Sequence, residues 1–200
     1  MTAPGSHYFD EDPTASSAPR DTMLLLPDLQ LTLTTDRGVF GYDRIDSGTK
    51  LLLLKAPAPA DSGNLLDIGC GTGAIALTMA SRSPAATVWA VDVNERARSL
   101  CAANAERNGL SNVQVCAPDD VPEDIRFASI WSNPAIRIGK PALHAMLLHW
   151  LGRLASDGEA VLVVHKHLGS DSLQTWLAGQ GYPTTRLTSS AGYRILRSTH

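Results

Sequence analysis

Cysteine is scarce in this chain: its 200 residues hold three, Cys70, Cys101 and Cys116. An odd number with no pairing pattern excludes a secreted disulfide framework. No Cys-x-x-Cys pair or Cys/His cluster has zinc spacing, so no metal is expected. No apolar run approaches the ~20 residues of a membrane span. The N-terminus lacks a basic-then-apolar leader. A strong charge of either sign is missing too, the net value being −3, which is no nucleic-acid signature in itself. These absences point to a soluble, cytoplasmic protein with neither membrane nor metal partner.

What is present suits one domain, or one domain plus a tail: 44% apolar and 18% charged residues, a normal globular balance. Charge is unevenly spread. Residues 133–200 hold seven Lys/Arg against three acids, and five of the six histidines. That asymmetry points weakly to an anionic substrate held by the C-terminal half.

Residues 1–22 are rich in Ser, Pro, Ala, Thr and Asp and read as a poorly ordered tail, which His7, Tyr8 and Phe9 could pin; residues 23–200 read as a single domain. Leu29, Leu31 and Leu33 alternate with polar neighbours as in a half-buried strand, which Gly38–Gly41 breaks. Asp46-Ser-Gly-Thr49 precedes a leucine run, a capped helix ended by Pro57 and Pro59. Regular alternation follows. Strands are expected at 64–68, 87–91, 113–115, 127–132 and 160–164, and helices at 73–82, 95–108, 141–155 and 171–179. Strands at 184–188 and 193–198, joined by a hairpin-like turn, complete the chain. The pattern predicts an α/β fold with a mostly parallel seven-strand sheet, helices on both faces and an antiparallel C-terminal edge.

Gly69, Gly71 and Gly73 lie where the first parallel strand meets its helix. Bare backbone there can approach a ligand, and the helix start offers free N–H groups. The spacing is neither G-x-G-x-x-G nor a phosphate loop, since no Lys-Ser/Thr follows. Asp67, just before it, would repel a pyrophosphate and suit a ligand with a positive amino group. Asp92 ends the next strand, where a carboxylate can accept both hydroxyls of a ribose; alone it would be a helix cap, a role for which Asn94 competes. Asp119 follows the third strand and can accept from an adenine amine, with Asp120 the alternative in register. Ser132-Asn133-Pro134-Ala135-Ile136 ends the fourth.

Taken together, Asp67-Ile-Gly-Cys-Gly-Thr-Gly-Ala-Ile75, Val91-Asp-Val-Asn-Glu-Arg-Ala97, Asn104-Ala-Glu-Arg-Asn-Gly-Leu110 and Ser132-Asn-Pro-Ala-Ile136 resemble the class I S-adenosylmethionine-dependent methyltransferases, which have a Rossmann-like fold. The stretch from Gly38 through Asp46 and Thr49 to Leu53, with Ile136-Arg-Ile-Gly-Lys140, is similar to the small methyltransferase domain group. That group includes ribosomal RNA guanine-N2 methyltransferases of the C and G type. The similarity runs from about His7 to Arg197. It implies S-adenosyl-L-methionine as cofactor and S-adenosyl-L-homocysteine as product. By resemblance, Asp67, Gly69, Gly71 and Gly73 would surround the methionine portion, Asp92 the ribose and Asp119 the adenine, with Asp46 and Thr49 lying over the cofactor.

Asn133, Pro134 and Ile136 match the group's Asn-Pro-Pro-[Ile/Phe/Tyr] motif and imply methylation of an exocyclic amine, guanine in ribosomal RNA foremost. The Asn133 side-chain oxygen and the Pro134 carbonyl would accept its two hydrogens, and Ile136 would pack on the base. Positioning and electrostatics then carry the catalysis without a strong base. Ala135 replaces the second proline, which leaves the loop less rigid. The C and G type carry a second, degenerate domain that this chain is too short to hold. RNA docking would then fall to this domain, a partner or a homodimer. A protein glutamine amide or a small metabolite gripped the same way is the rival reading, and a non-catalytic nucleoside-binding module another.

Overall fold

The computed structural model describes residues 15–200; the tail reading for 1–14, with His7, Tyr8 and Phe9, lies outside the described residues. An antiparallel pair, β1 (Arg20–Leu25) and β2 (Gln30–Thr35), opens the described chain. Then come α1 (Ser47–Lys55), β3 (Ser62–Ile68), α2 (Ala74–Arg82), β4 (Ala85–Val91), α3 (Glu95–Arg107), β5 (Val113–Cys116) and β6 (Phe127–Ser132). The last are α4 (Lys140–Leu151), β7 (Leu154–His165), α5 (Ser170–Gly179), β8 (Thr184–Ser190) and β9 (Tyr193–Thr199).

Strands β3 to β9 form one sheet in the order β5-β4-β3-β6-β7-β9-β8. From β5 to β7 all neighbours are parallel; β9 runs antiparallel to β7 and β8. Ala191 and Gly192 join β8 to β9 with φ of 49° and 83°, the left-handed pair that a two-residue hairpin turn needs.

Successive strand residues face opposite sides, so the sheet has two cores. Leu65, Val161, Val163 and Ile195 face α1, α2 and α3, meeting Leu52, Leu77 and Met79. Leu66, Ile68, Leu162, Val164 and Leu196 face α4 and α5, meeting Leu147, Trp150 and Leu177. Both faces are covered, which is why these strands read as unbroken apolar runs rather than alternating ones.

Two element boundaries differ from the sequence reading. β1 begins inside the segment read as tail, and Asp36 accepts from Ser17 Oγ (2.7 Å) and the Ala18 N–H (2.6 Å). Only Leu24 of β1 is buried, so this edge strand carries no apolar alternation to read. The helix expected to reach 155 ends at Leu151, and β7 already starts at Leu154. Pairing with β6 then jumps from Leu154 to Glu159 across a bulge that holds Gly158. A Cβ there would stand 2.6 Å from the Phe127 carbonyl, so only glycine permits the approach.

The β1–β2 pair docks on α3. Asn104 and Asn108, one turn apart, bond both the N–H and the C=O of Thr34 and of Thr32. The loop after β2 is thereby carried toward the glycine turn, where Asn94 Nδ2 donates to the Gly38 carbonyl (2.9 Å).

Candidate functional site

Sheet register brings the two motifs together. Ile68 pairs with Ser132 across β3 and β6, and Ser132 Oγ donates to the Ile68 carbonyl (2.7 Å). The glycine turn and Asn133 therefore leave the sheet side by side. Strand order reverses between β3 and β6, and in such sheets ligands sit off the carboxyl ends at that reversal. A cleft of about 1020 Å³ opens there, at the upper limit for a small-molecule site and roomy enough for two ligands.

On one side lies the turn. The Gly69 and Cys70 N–H groups donate to the Val91 carbonyl (2.8 and 2.9 Å), and Gly71 N–H to Asp92 Oδ2 (2.9 Å). Gly69 (φ 75°) and Gly71 (φ 53°) line the cleft, and a Cβ on Gly69 would meet nothing within 4 Å. Gly73 (φ 93°) does not line it: a Cβ there would stand 2.7 Å from Leu77 Cδ1 and 2.8 Å from Cys101 Sγ. It is a packing glycine that lets α2 sit against α3.

Asp67 also stays out of the cleft. It shares the face of Leu65, lies fully buried beneath α2, and its Oδ2 accepts the Ala76 N–H (3.0 Å). Oδ1 has no partner. Burial raises the carboxyl to about 8; the Ala76 N–H opposes the rise and the Asp92 charge adds to it. Asp67 and Gly73 thus shape the turn from behind, not from the ligand side.

Asp92 lines the cleft, its Oδ1 accepting the Asn94 N–H (2.9 Å). Burial pushes its carboxyl up, against the Asn94 and Gly71 N–H groups and the Arg98 charge. The α3 cap is Asn94, which accepts from the Ala97 N–H (3.1 Å). A carboxylate has about four acceptor positions, so Asp92 keeps room for ligand hydroxyls. Asp119 lines the cleft and Asp120 does not. Apolar walls from Ile68, Val91 and Val93, glycine backbone bare of side chains and these two acids fit a positively charged nucleoside, and so fit S-adenosylmethionine.

Asn133 stands on the other side. Asp46 caps α1, accepting from the Gly48 and Thr49 N–H groups (2.8 and 3.1 Å). The same oxygen accepts from Asn133 Nδ2 (2.9 Å), as does Thr49 Oγ1 (3.1 Å). A carboxylate only accepts, so the amide nitrogen must face it. Both amide hydrogens are thereby used and Oδ1 is left to the cleft. Asp46 lines the cleft beside Asn133; Thr49 lines a smaller cavity of about 40 Å³ with Gly71 and Asn133.

The Pro134 carbonyl accepts the Ile136 N–H (2.8 Å), with Ala135 at φ −69°, ψ 70°, an inverse γ-turn. One carbonyl lone pair is thus taken within the loop and one remains. Proline fixes φ at about −65°, so Ala135 already holds the backbone that the second proline would impose. Ile136 is half-buried and lines the cleft.

Tyr193 carries no signal in the sequence, yet it lines the cleft from β9 and packs against Gly48, where a Cβ would come within 2.7 Å of its ring. Burial raises its hydroxyl and the Asp46 charge adds to this, against the Gly48 N–H. Phe40, Met146 and Trp150 also line the cleft. Phe40 sits between the glycines of the Gly38–Gly41 break, in the stretch similar to the family, and Trp150 on the helix expected over 141–155; the sequence singles out neither side chain. Among the described residues no His/Cys/Asp/Glu group has a metal-binding arrangement, and none of their helices is long and apolar enough to cross a membrane.

A family model described as "Methyltransferase small domain" matches residues 30–197. The "Uncharacterized protein YbxB" of Bacillus subtilis is 35% identical over 195 residues, covering 96% of this chain and 97% of that one. "Ribosomal RNA small subunit methyltransferase C" of Aeromonas hydrophila is 35% identical over 147 residues. That match covers 70% of this chain but only 42% of the Aeromonas protein. Among solved structures, a T. thermophilus 16S rRNA N2 methyltransferase (RsmC), in complex with AdoMet and guanosine, superposes with a TM-score of 0.79. It is 24% identical, and 94% of this chain covers 52% of it. The ribosomal protein L11 methylase of Lactobacillus delbrueckii gives 0.60 at 19% identity, covering 76% of this chain and 77% of its own. At such identities the two structures establish the fold.

Proposed function

This chain belongs to the methyltransferase small domain family, S-adenosylmethionine-dependent methyltransferases, and from that premise we propose that it methylates an exocyclic amine, the N2 of guanine in ribosomal RNA. The observation that carries the reading is the clamp on Asn133, whose amide nitrogen is held by Asp46 and Thr49 so that its oxygen faces the cleft. The named ribosomal RNA relatives support the choice of guanine. The matches cover 42% and 52% of the length of these two relatives.

The bound S-adenosylmethionine supplies a methyl group already activated on a sulfonium. The protein's task is then to present nitrogen. An exocyclic amine is a weak nucleophile because its lone pair is delocalised into the ring. Asn133 Oδ1 and the free lone pair of the Pro134 carbonyl accept its two hydrogens, aim the nitrogen and favour a more tetrahedral centre. Such fixed acceptors cost no reorganisation during reaction. Ile136 packs on the base plane. Asp92 and Asp119 hold the nucleoside end of the cofactor, and Gly69 and Gly71 leave room beside it.

The test compares ribosomal RNA from a deletion strain and its parent by mass spectrometry of nucleosides. A methylguanosine missing from the deletion strain, and restored by the purified protein, is expected. Identical nucleoside profiles would refute guanine as the substrate.

A further inference from the structure

Beyond Asn133 the cleft carries basic side chains for which the amine grip has no use. Arg137 follows the Asn-Pro corner after β6. His165 ends β7, the parallel neighbour whose Leu162 pairs with Ser132, and His167 lies in the turn just after it. All three line the cleft. None of the ion pairs among the described residues includes any of them. His165 Nδ1 accepts the His167 backbone N–H (3.3 Å), so its own proton sits on Nε2, as a donor. The His165 ring stands edge-on to Tyr193 at 4.9 Å, and Tyr193 in turn packs beside Asp46. The basic cluster therefore borders the amine corner directly.

The acids in the cleft do not neutralise it. Asp46 is committed to the α1 cap and to Asn133, while Asp92 and Asp119 lie at the far end with the glycine turn. Lys140 and Lys166, close in sequence to the cluster, add positive charge to that of Arg137, and the neighbouring Arg194 is already paired with Asp171 at 3.8 Å. A neutral amine needs no counter-charge, and neither does a side-chain amide. A phosphodiester does. Enzymes that modify a base take it unstacked, with its backbone at the pocket mouth, and phosphate contacts set the register of the strand.

We propose that Arg137, His165 and His167 form an anion site that grips a backbone phosphate of RNA next to the nucleotide being methylated. The site rests on the ribosomal RNA reading above and adds to it a way for this domain to hold the strand itself. It discriminates a nucleotide within a strand from a free base or an amide.

The test measures binding of a fluorescein-labelled single-stranded RNA oligonucleotide with one central guanosine, by anisotropy across a salt series. The proteins compared are wild type, the combined variant Arg137→Gln, His165→Gln, His167→Gln, and Lys55→Gln as a basic residue outside the cleft. The combined variant is expected to bind about tenfold more weakly, with the salt slope reduced by about 0.7 for each phosphate it no longer neutralises. Its melting temperature and S-adenosylmethionine affinity should stay at wild-type values, which shows that it is folded. Unchanged RNA affinity and slope, or an equal loss in Lys55→Gln, would overturn the site. Failure of wild type to methylate ribosomal RNA, with the binding loss present, would remove the guanine reading and leave the anion site standing.

Discussion

The two halves of the cleft are built by different means. Around the glycine turn the backbone does the holding: Gly69 and Cys70 reach the Val91 carbonyl, and Gly71 reaches Asp92. Around Asn133 the holding is done by side chains distant in sequence: Asp46, the cap of α1, lies 87 positions from Asn133 and Thr49 lies 84. A backbone-held half tolerates side-chain change except where a Cβ intrudes, and its failures should appear as lost stability or cofactor affinity. A side-chain-held half should lose rate at single positions while the fold persists.

The largest expected effect tests that contrast. Asn133→Ala should lower kcat about a hundred- to a thousandfold, the scale of losing one fixed hydrogen-bonding group at a reacting centre. Calorimetry should find cofactor affinity nearly unchanged. Equal losses in both would erase the distinction between the halves.

Two glycines sharpen it next. Gly73→Ala combines left-handed backbone with overlap on Leu77 and Cys101, so it should cost roughly 3 kcal/mol, or ~6–12 °C in Tm. Gly69→Ala meets open space and carries only the backbone cost of about 1–2 kcal/mol. Its signature should instead be weaker cofactor binding, because the new methyl projects into the cleft. Thermal melts and titrations on both variants separate packing from binding.

Asp67 gives a pH effect confined to the half behind the turn. The native state keeps its proton up to about pH 8, whereas an unfolded chain releases it near pH 4. The folded form binds more protons across that window, so stability falls as pH rises from about 4 to about 8, by at most about 1.4 kcal/mol per pH unit. Asp67→Asn should flatten that slope in melts across the same range. A slope as steep as wild type's would show that Asp67 is not the buried proton carrier.

The smallest effect belongs to Ala135→Pro. At φ −69° the ring fits, and the change should alter stability by no more than about 1 kcal/mol, with kcat kept near wild type. A large loss of activity would mean that the loop depends on freedom at this position.

Legibility in the sequence follows the same division. The sheet is readable because parallel strands buried on two faces write themselves as apolar runs, and Gly69, Gly71 and Asp92 because a turn and its partner lie close in sequence. Asp67 is misplaced by a reading that follows its nearness to the turn, because β-alternation puts it on the face of Leu65, under α2. Gly73 looks like a third binding glycine although its missing Cβ serves Leu77 and Cys101. β1 carries no pattern because it buries only Leu24. The clamp on Asn133 is beyond sequence, since nothing local to residue 133 says that Asp46 will take its nitrogen.

The most direct test is a crystal structure with S-adenosylhomocysteine and guanosine bound. The account predicts the guanine N2 within about 2.7–3.2 Å of both Asn133 Oδ1 and the Pro134 carbonyl oxygen, with Asn133 Nδ2 still on Asp46. Guanosine seated elsewhere, or Asn133 turned so that its nitrogen faces the base, would contradict it.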